Sequence, residues 1–92
     1  MGIFFDDSKP RITEEEFKKI RAHLYNVGFS SDQLDKIEGI FRGDIYEDRD
    51  SDKGIDEKEL FRAIAWMREN MHVHNISEQK VDILEEEMKK AL

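Results

Sequence analysis

One local pattern occurs four times in this chain of 92 residues: an apolar residue, a residue that can cap a helix, two variable residues, a polar residue and a second apolar residue. The capping side chain accepts a hydrogen bond from a free N–H group of the first helical turn. The two apolar residues pack together across the helix start. The pattern therefore predicts where helices begin, at Ile12-Thr13-x-x-Glu16-Phe17, Phe29-Ser30-x-x-Gln33-Leu34, Ile55-Asp56-x-x-Glu59-Leu60 and Ile76-Ser77-x-x-Lys80-Val81.

The residues that follow each start support a helical fold. Apolar side chains recur every three or four positions, which is the spacing of one helix face. No segment shows the sustained alternation of a strand. We therefore predict an all-α protein that forms a single domain over residues 1–92, with four short helices at about 13–26, 30–47, 56–71 and 77–91.

The first eleven residues carry no helix start, so we expect them to form an arm. Its apolar residues Ile3, Phe4 and Phe5 either pack on the helices or form a short strand, or the arm is loosely ordered, as chain termini often are.

Composition removes several classes of function. The net charge of −7, from 22 acidic and 15 basic residues, argues against nucleic-acid binding. No run approaches the roughly 20 apolar residues of a membrane span, and no secretory signal is recognised, so we expect a cytoplasmic protein without a membrane partner. The absence of cysteine excludes disulfides and thiolate zinc sites. No catalytic constellation is recognisable, and we expect no enzyme activity.

The segment between the second and third predicted helices has the composition of a cation site. Its twelve residues, 48–59, carry carboxylates at the first, third, fifth, ninth and twelfth positions. Calcium takes about six to eight oxygen ligands, and alternating Asp side chains on a tightly turning loop point at one centre. A backbone carbonyl suffices at Gly54, and Glu59 can reach back from the first turn of the next helix with both oxygens. Ile55 would anchor the loop to the core.

This loop and the helix after it resemble the EF-hand, the helix–loop–helix family that binds calcium. The resemblance covers residues 38–68 and implies a bound Ca²⁺ ion. The loop differs from the family in that Lys53 stands where the family has Gly, Lys53 and Arg49 add positive charge, and Glu47 precedes the loop where the family usually has an apolar or aromatic residue. We therefore expect weak affinity, as in a modulator or a structural site. The resemblance implies side-chain ligands at Asp48, Asp50, Asp52 and Glu59, a carbonyl ligand at Gly54 and a water-mediated contact at Asp56.

EF-hand loops usually pair side by side through the residue at position eight, which is Ile55 here. The segment 26–33 contains the echo Gly28-Phe29-Ser30, so it is either a degenerate second hand or simply another helix start. A homodimer that pairs the same loop from two copies is a further way to satisfy the pairing.

An acidic helical protein-interaction domain without metal is the alternative function. Helix capping alone explains Asp56 and Glu59, and acidic loops are common in a chain of this charge. The segment 13–17 and the later Trp66 also faintly resemble the nuclease immunity proteins, which are acidic helical inhibitors. A protein partner is expected in this case. The residues Met67, Met71 and Met88, with Trp66 and Phe61, either line a hydrophobic groove or belong to the core.

Overall fold

The structure, a computed structural model, describes residues 11–45 and 54–92. These residues are mostly helical and contain no strand, which confirms the predicted all-α class. The helices are α1 (Glu14–Asn26), α2 (Ser31–Ile45), α3 (Glu57–Glu69), α4 (Met71–His74) and α5 (Glu78–Lys90).

The four predicted helix starts form as the sequence pattern requires. At the start of α1, the Thr13 hydroxyl accepts a hydrogen bond from the Glu16 N–H at 3.2 Å, and the Glu16 carboxylate accepts one from the Thr13 N–H at 2.9 Å. Ser30 and Gln33 make the same reciprocal pair at 3.1 and 3.0 Å. Each pair satisfies N–H groups that the first helical turn leaves without a helical partner.

The predicted number of four helices is wrong, because the described residues form five. The predicted third helix, 56–71, ends at Glu69, and a separate turn of helix, α4, follows it. Asn70 interrupts the helix with backbone angles φ −127° and ψ 37°. Its side-chain amide donates a hydrogen bond to the Trp66 carbonyl at 2.8 Å. This contact gives a hydrogen-bond donor to a carbonyl near the end of α3, where the last carbonyl groups have no N–H partner within the helix.

The buried His74 ring holds α4 against the end of α3. Its Nδ1 accepts a hydrogen bond from the Ile76 N–H at 3.0 Å, and its Nε2 lies 2.8 Å from the Met67 carbonyl. Because Nδ1 is the acceptor, the proton lies on Nε2, which donates to Met67. Asn75 then ends α4 in the left-handed region with φ 57°.

The helices share one hydrophobic core. Helix α3 packs against α5, while α1 packs against α2 and α5. Salt bridges reinforce the contact between α1 and α2, where Arg21 of α1 binds Asp35 and Glu38 of α2 at 2.6 and 2.7 Å. No helix in the described ranges is both long and apolar enough to cross a membrane. The core residues are Ile12, Phe17, Ile20, Leu24, Phe29, Leu34, Ile37, Phe41, Ile45, Ile55, Leu60, Ile64, Met67, Ile76, Val81, Leu84 and Met88.

Candidate functional site

The predicted calcium ligands divide between described and undescribed residues. Asp48, Asp50 and Asp52 lie outside the described residues, whereas Gly54, Asp56 and Glu59 lie within them. Within 11–45 and 54–92, no group of three or more His, Asp or Glu side chains could hold a metal ion. The full ligand set therefore stays a prediction.

The core fixes the chain on both sides of the candidate loop. On the entering side, α2 ends at Ile45, which is buried together with Phe41. On the leaving side, Ile55 and Leu60 are buried at the start of α3. The segment between Ile45 and Gly54 thus connects two anchored points, and α2 packs against α3.

Two predicted ligands meet at the first turn of α3. The Asp56 carboxylate accepts a hydrogen bond from the Glu59 N–H at 2.8 Å, and the Glu59 carboxylate accepts one from the Asp56 N–H at 2.9 Å. Both residues are half-buried. The positive end of the helix dipole stabilises negative charge at this point. A cation that bound here would share these oxygens with the N–H groups of the helix start.

Ile55, the residue at position eight of the loop, pairs with Ile12. The Ile12 N–H donates to the Ile55 carbonyl at 2.8 Å, and the Ile55 N–H donates to the Ile12 carbonyl at 2.9 Å. The two residues form an isolated antiparallel bridge, and neither side chain is exposed to solvent. The bridge ties the start of the α1 segment to the end of the candidate loop.

Gly54 allows the two backbones to approach this closely. It adopts φ +100°, and a Cβ atom at this position would lie 2.9 Å from the Ile12 carbonyl oxygen and 3.1 Å from the Arg11 Cβ. Only glycine meets both demands without strain. The resemblance places the positive φ one residue earlier, at Lys53, which lies outside the described residues.

The segment 26–33 does not supply the partner of Ile55. It forms the junction between α1 and α2, where the Phe29 N–H donates to the Leu24 carbonyl at 3.0 Å. From α5, the Lys80 ammonium reaches this junction and donates to the Gly28 carbonyl at 3.2 Å and to the Gln33 side chain at 2.9 Å. The sequence does not single out Ile12 as the partner, because the pattern of Ile12-Thr13-x-x-Glu16 precedes all four predicted helices.

The methionine-lined groove considered from the sequence is not formed by Met67 and Met88, whose side chains are fully buried in the core. A different groove lies between α2 and α3. It consists of two open hollows of about 440 and 280 Å³ that share the side chains of Ile40 and Trp66. We call it the Trp66 groove. Among the described residues, the other lining residues are Glu59, Arg62 and Ala63 in the larger hollow and Lys36, Gly39, Val73 and His74 in the smaller.

The strongest charge pairs are structural contacts between helices. Arg68 of α3 lies 2.6 Å from Asp82 and 2.8 Å from Glu85 of α5. The hydrogen bond from Arg68 lowers the pKa of Glu85, which Lys89 also approaches. Between α1 and α2, the hydrogen bond to Asp35 raises the pKa of Arg21. These groups hold helix pairs together.

Comparison of the chain with models of known protein families, with curated protein sequences and with solved structures finds no match.

Proposed function

We propose that the chain binds calcium through the loop 48–59 and acts as a weak, EF-hand-like calcium modulator or structural calcium site. The observation that carries the proposal is the geometry of residues 54–59. These residues combine a glycine turn, a backbone bridge at Ile55 and a helix start that holds two carboxylates. Calcium selects oxygen-rich loops of this kind.

The fixed end of the loop lowers the entropic cost of assembling a ligand shell. Asp56 and Glu59 are already held at the start of α3, so fewer groups have to be ordered when an ion binds. Asp48, Asp50 and Asp52 precede them within a few residues, and α2 anchors the entry to the loop. The chain thus offers carboxylates from both halves of a short, closed segment.

The same geometry argues for modest affinity. In the structure, one oxygen of Asp56 and one of Glu59 are bonded to backbone N–H groups, and an ion has to compete with these bonds. The nearby Arg49 and Lys53 oppose a cation by Coulomb repulsion. We expect a dissociation constant of about 10⁻⁵ to 10⁻³ M, at the weak end of the range for such loops.

Calorimetric titration of the full chain with calcium tests the proposal, with Glu59→Gln as the decisive variant. Gln can still accept the hydrogen bond from the Asp56 N–H, so the helix start survives while one ligand charge is lost. Glu57→Gln is the matched control, because Glu57 lies in the same helical turn and is exposed.

We expect binding heat in the native protein and in Glu57→Gln, and a loss of most affinity in Glu59→Gln. Equal binding by all three proteins would mean that the ion only screens the net charge. No heat at 10⁻² M calcium, above the whole expected range, would remove the proposal.

A further inference from the structure

We propose that His74 is a pH sensor: when its ring takes up a proton in mild acid, α4 is released from the end of α3. This inference is independent of calcium binding. It rests on the burial of the ring, on the hydrogen bonds of its two nitrogens and on the charges that surround it.

The ring of His74 is the point by which α4 is attached to the rest of the fold. His74 is the one buried residue of this four-residue helix, with 3% of its surface exposed. Met71 is half-buried, whereas His72 and Val73 are exposed. Since a helix of four residues has almost no stability of its own, its position depends on the contacts that His74 makes.

Only the neutral ring can make both of the observed hydrogen bonds. Nε2 donates to the Met67 carbonyl at 2.8 Å, and Nδ1 accepts from the Ile76 N–H at 3.0 Å. A protonated imidazole carries an N–H group on each nitrogen and has no acceptor. Protonation therefore keeps the bond to Met67 but sets the new Nδ1–H group against the Ile76 N–H, and the bond to Ile76 is lost.

The surroundings do not neutralise a charged ring. From α2, the Lys36 ammonium donates to the His74 carbonyl at 3.1 Å, which places a positive charge on this helix already. From α3, the ring meets the Met67 carbonyl and the Trp66 indole, whose centroid lies 6.1 Å away. On α4 itself, His72 is a second group that can become positive. In the part of the chain that the structure describes, no carboxylate of any helix forms an ion pair with His74, so a buried charge here is costly.

Folding and protonation of His74 therefore oppose each other. An exposed histidine ordinarily has a pKa of about 6.5, so the unfolded chain takes up a proton in mild acid. Because the unfolded state then binds more protons than the folded state, stability falls as the pH decreases. A folded chain that accepted no proton would show a rise of about thirtyfold in the equilibrium constant of unfolding between about pH 7.5 and pH 5. Since α4 can detach while the other helices stay folded, we expect a rise of roughly tenfold.

The first test measures urea unfolding of the full chain at about pH 7.5 and pH 5 in calcium-free buffer. The decisive variant is His74→Asn, because the Asn side chain offers an amide oxygen near the position of Nδ1 and does not titrate. It loses the bond to Met67, so the change with pH is compared rather than the stability at one pH. His72→Asn is the matched control, since His72 is exposed in the same short helix.

We expect the unfolding constants of the native protein and of His72→Asn to rise roughly tenfold more on acidification than that of His74→Asn. The His23 ring, which lies 3.6 Å from the Glu87 carboxylate, also titrates, but it is present in all three proteins and cancels from the comparison. An equal rise in all three proteins would overturn the proposal.

The native protein gives a second measurement, which requires no variant to fold. Trp66 is the only tryptophan of the chain and lies beside the ring, so quenching of its fluorescence by acrylamide reports on α4. Nuclear magnetic resonance of the ring nitrogens follows the protonation of His74 directly. We expect the quenching to become steeper and the Ile76 amide resonance to move in step with that protonation. Protonation that leaves both unchanged, or a ring that stays neutral at about pH 5, would overturn the proposal.

Discussion

The junction between α1 and α2 and the end of the loop before α3 share one local sequence pattern but differ in their long-range contacts. Gly28-Phe29-Ser30 and Gly54-Ile55-Asp56 each place a glycine with positive φ, then a buried apolar residue, then a helix cap. At the first junction, the Lys80 ammonium of α5 donates a hydrogen bond to the Gly28 carbonyl. At the second, the backbone of Ile12 pairs with Ile55 and the cap is made of carboxylates.

This difference teaches that the pattern determines a helix start and nothing further. Ser30 and Gln33 are neutral, so the first junction offers no concentrated negative charge. Asp56 and Glu59 satisfy the equivalent N–H groups with carboxylate oxygens, which is the ligand type that the calcium proposal requires. Four predictions test the comparison, in order of decreasing expected effect.

Substituting the two glycines should separate the junctions most clearly. Gly28→Ala introduces strain only, because nothing lies within 4 Å of its added Cβ, and we expect a loss of about 1–3 kcal/mol in the free energy of unfolding. Gly54→Ala adds a clash with the Ile12 carbonyl, which should cost about 1–3 kcal/mol more. Urea denaturation measures both. If Gly28→Ala and Gly54→Ala lose the same free energy of unfolding, the close approach of Ile12 to Gly54 is not maintained in solution.

Calcium should stabilise the protein through the second junction alone. At ten times the dissociation constant, an ion that binds only the folded chain contributes about 1.4 kcal/mol, seen as a rise in melting temperature. Glu59→Gln should lose most of this rise. The reciprocal variant Gln33→Glu gives the first junction the same acidic residue at the same position, and its rise should equal that of the native protein. A larger rise in Gln33→Glu would mean that any acidic helix start is sufficient.

Removing the caps should cost the two junctions similar amounts without calcium. Ser30→Ala and Asp56→Ala each delete one acceptor for a first-turn N–H group, at a cost of about 1 kcal/mol. With saturating calcium, the penalty of Asp56→Ala should increase because a predicted ligand is also lost, while that of Ser30→Ala should stay constant. Thermal melts with and without a chelator provide the comparison.

The smallest effect should come from α3, the helix that follows the second junction. There the contribution of the Arg68–Glu85 contact to stability should depend on pH. Arg68 on α3 lowers the pKa of Glu85, so the ionised form is favoured in the folded state. The resulting stabilisation is fully present above the ordinary glutamate pKa of 4.5 and is lost as the pH falls through the lowered folded value. Because Arg68 is partly exposed, we expect less than about 1 kcal/mol.

Glu85→Gln should therefore be less stable than the native protein at neutral pH, and this difference should shrink on acidification below the ordinary pKa. Glu86→Gln, on the exposed face of the same helix, is the control. If the stability difference between Glu85→Gln and the native protein stays constant with pH, the Arg68 contact does not depend on the charge of Glu85.

The sequence predicts the features of this fold that depend on neighbouring residues. Helix caps and apolar stripes act over three or four positions, so the helix starts and most of the core could be identified directly. The break at Asn70 could not, because it accompanies the burial of His74 between Met67 and Ile76. The Trp66 groove was missed for a similar reason, since Ile40 and Trp66 meet only when α2 packs against α3.

The sequence predicts six calcium ligands, of which the structure describes only Gly54, Asp56 and Glu59. Alternating carboxylates predict the loop from composition and spacing alone, and the calcium-binding role of all six residues stays a prediction. The partner of Ile55 was not predicted, because a backbone bridge carries almost no side-chain signature and Ile12 is far away in sequence. The turn at Gly54 is positioned by that same contact.

The bridge between Ile12 and Ile55 closes the chain into a ring that contains α1, α2 and the candidate loop. The entropic cost of closing a ring grows with the logarithm of its length, whereas each helix forms from local contacts. The ring should therefore close late in folding, after its helices have formed. The two bridging amides then become protected together, so their hydrogen exchange should slow in the same step and report when the domain is complete.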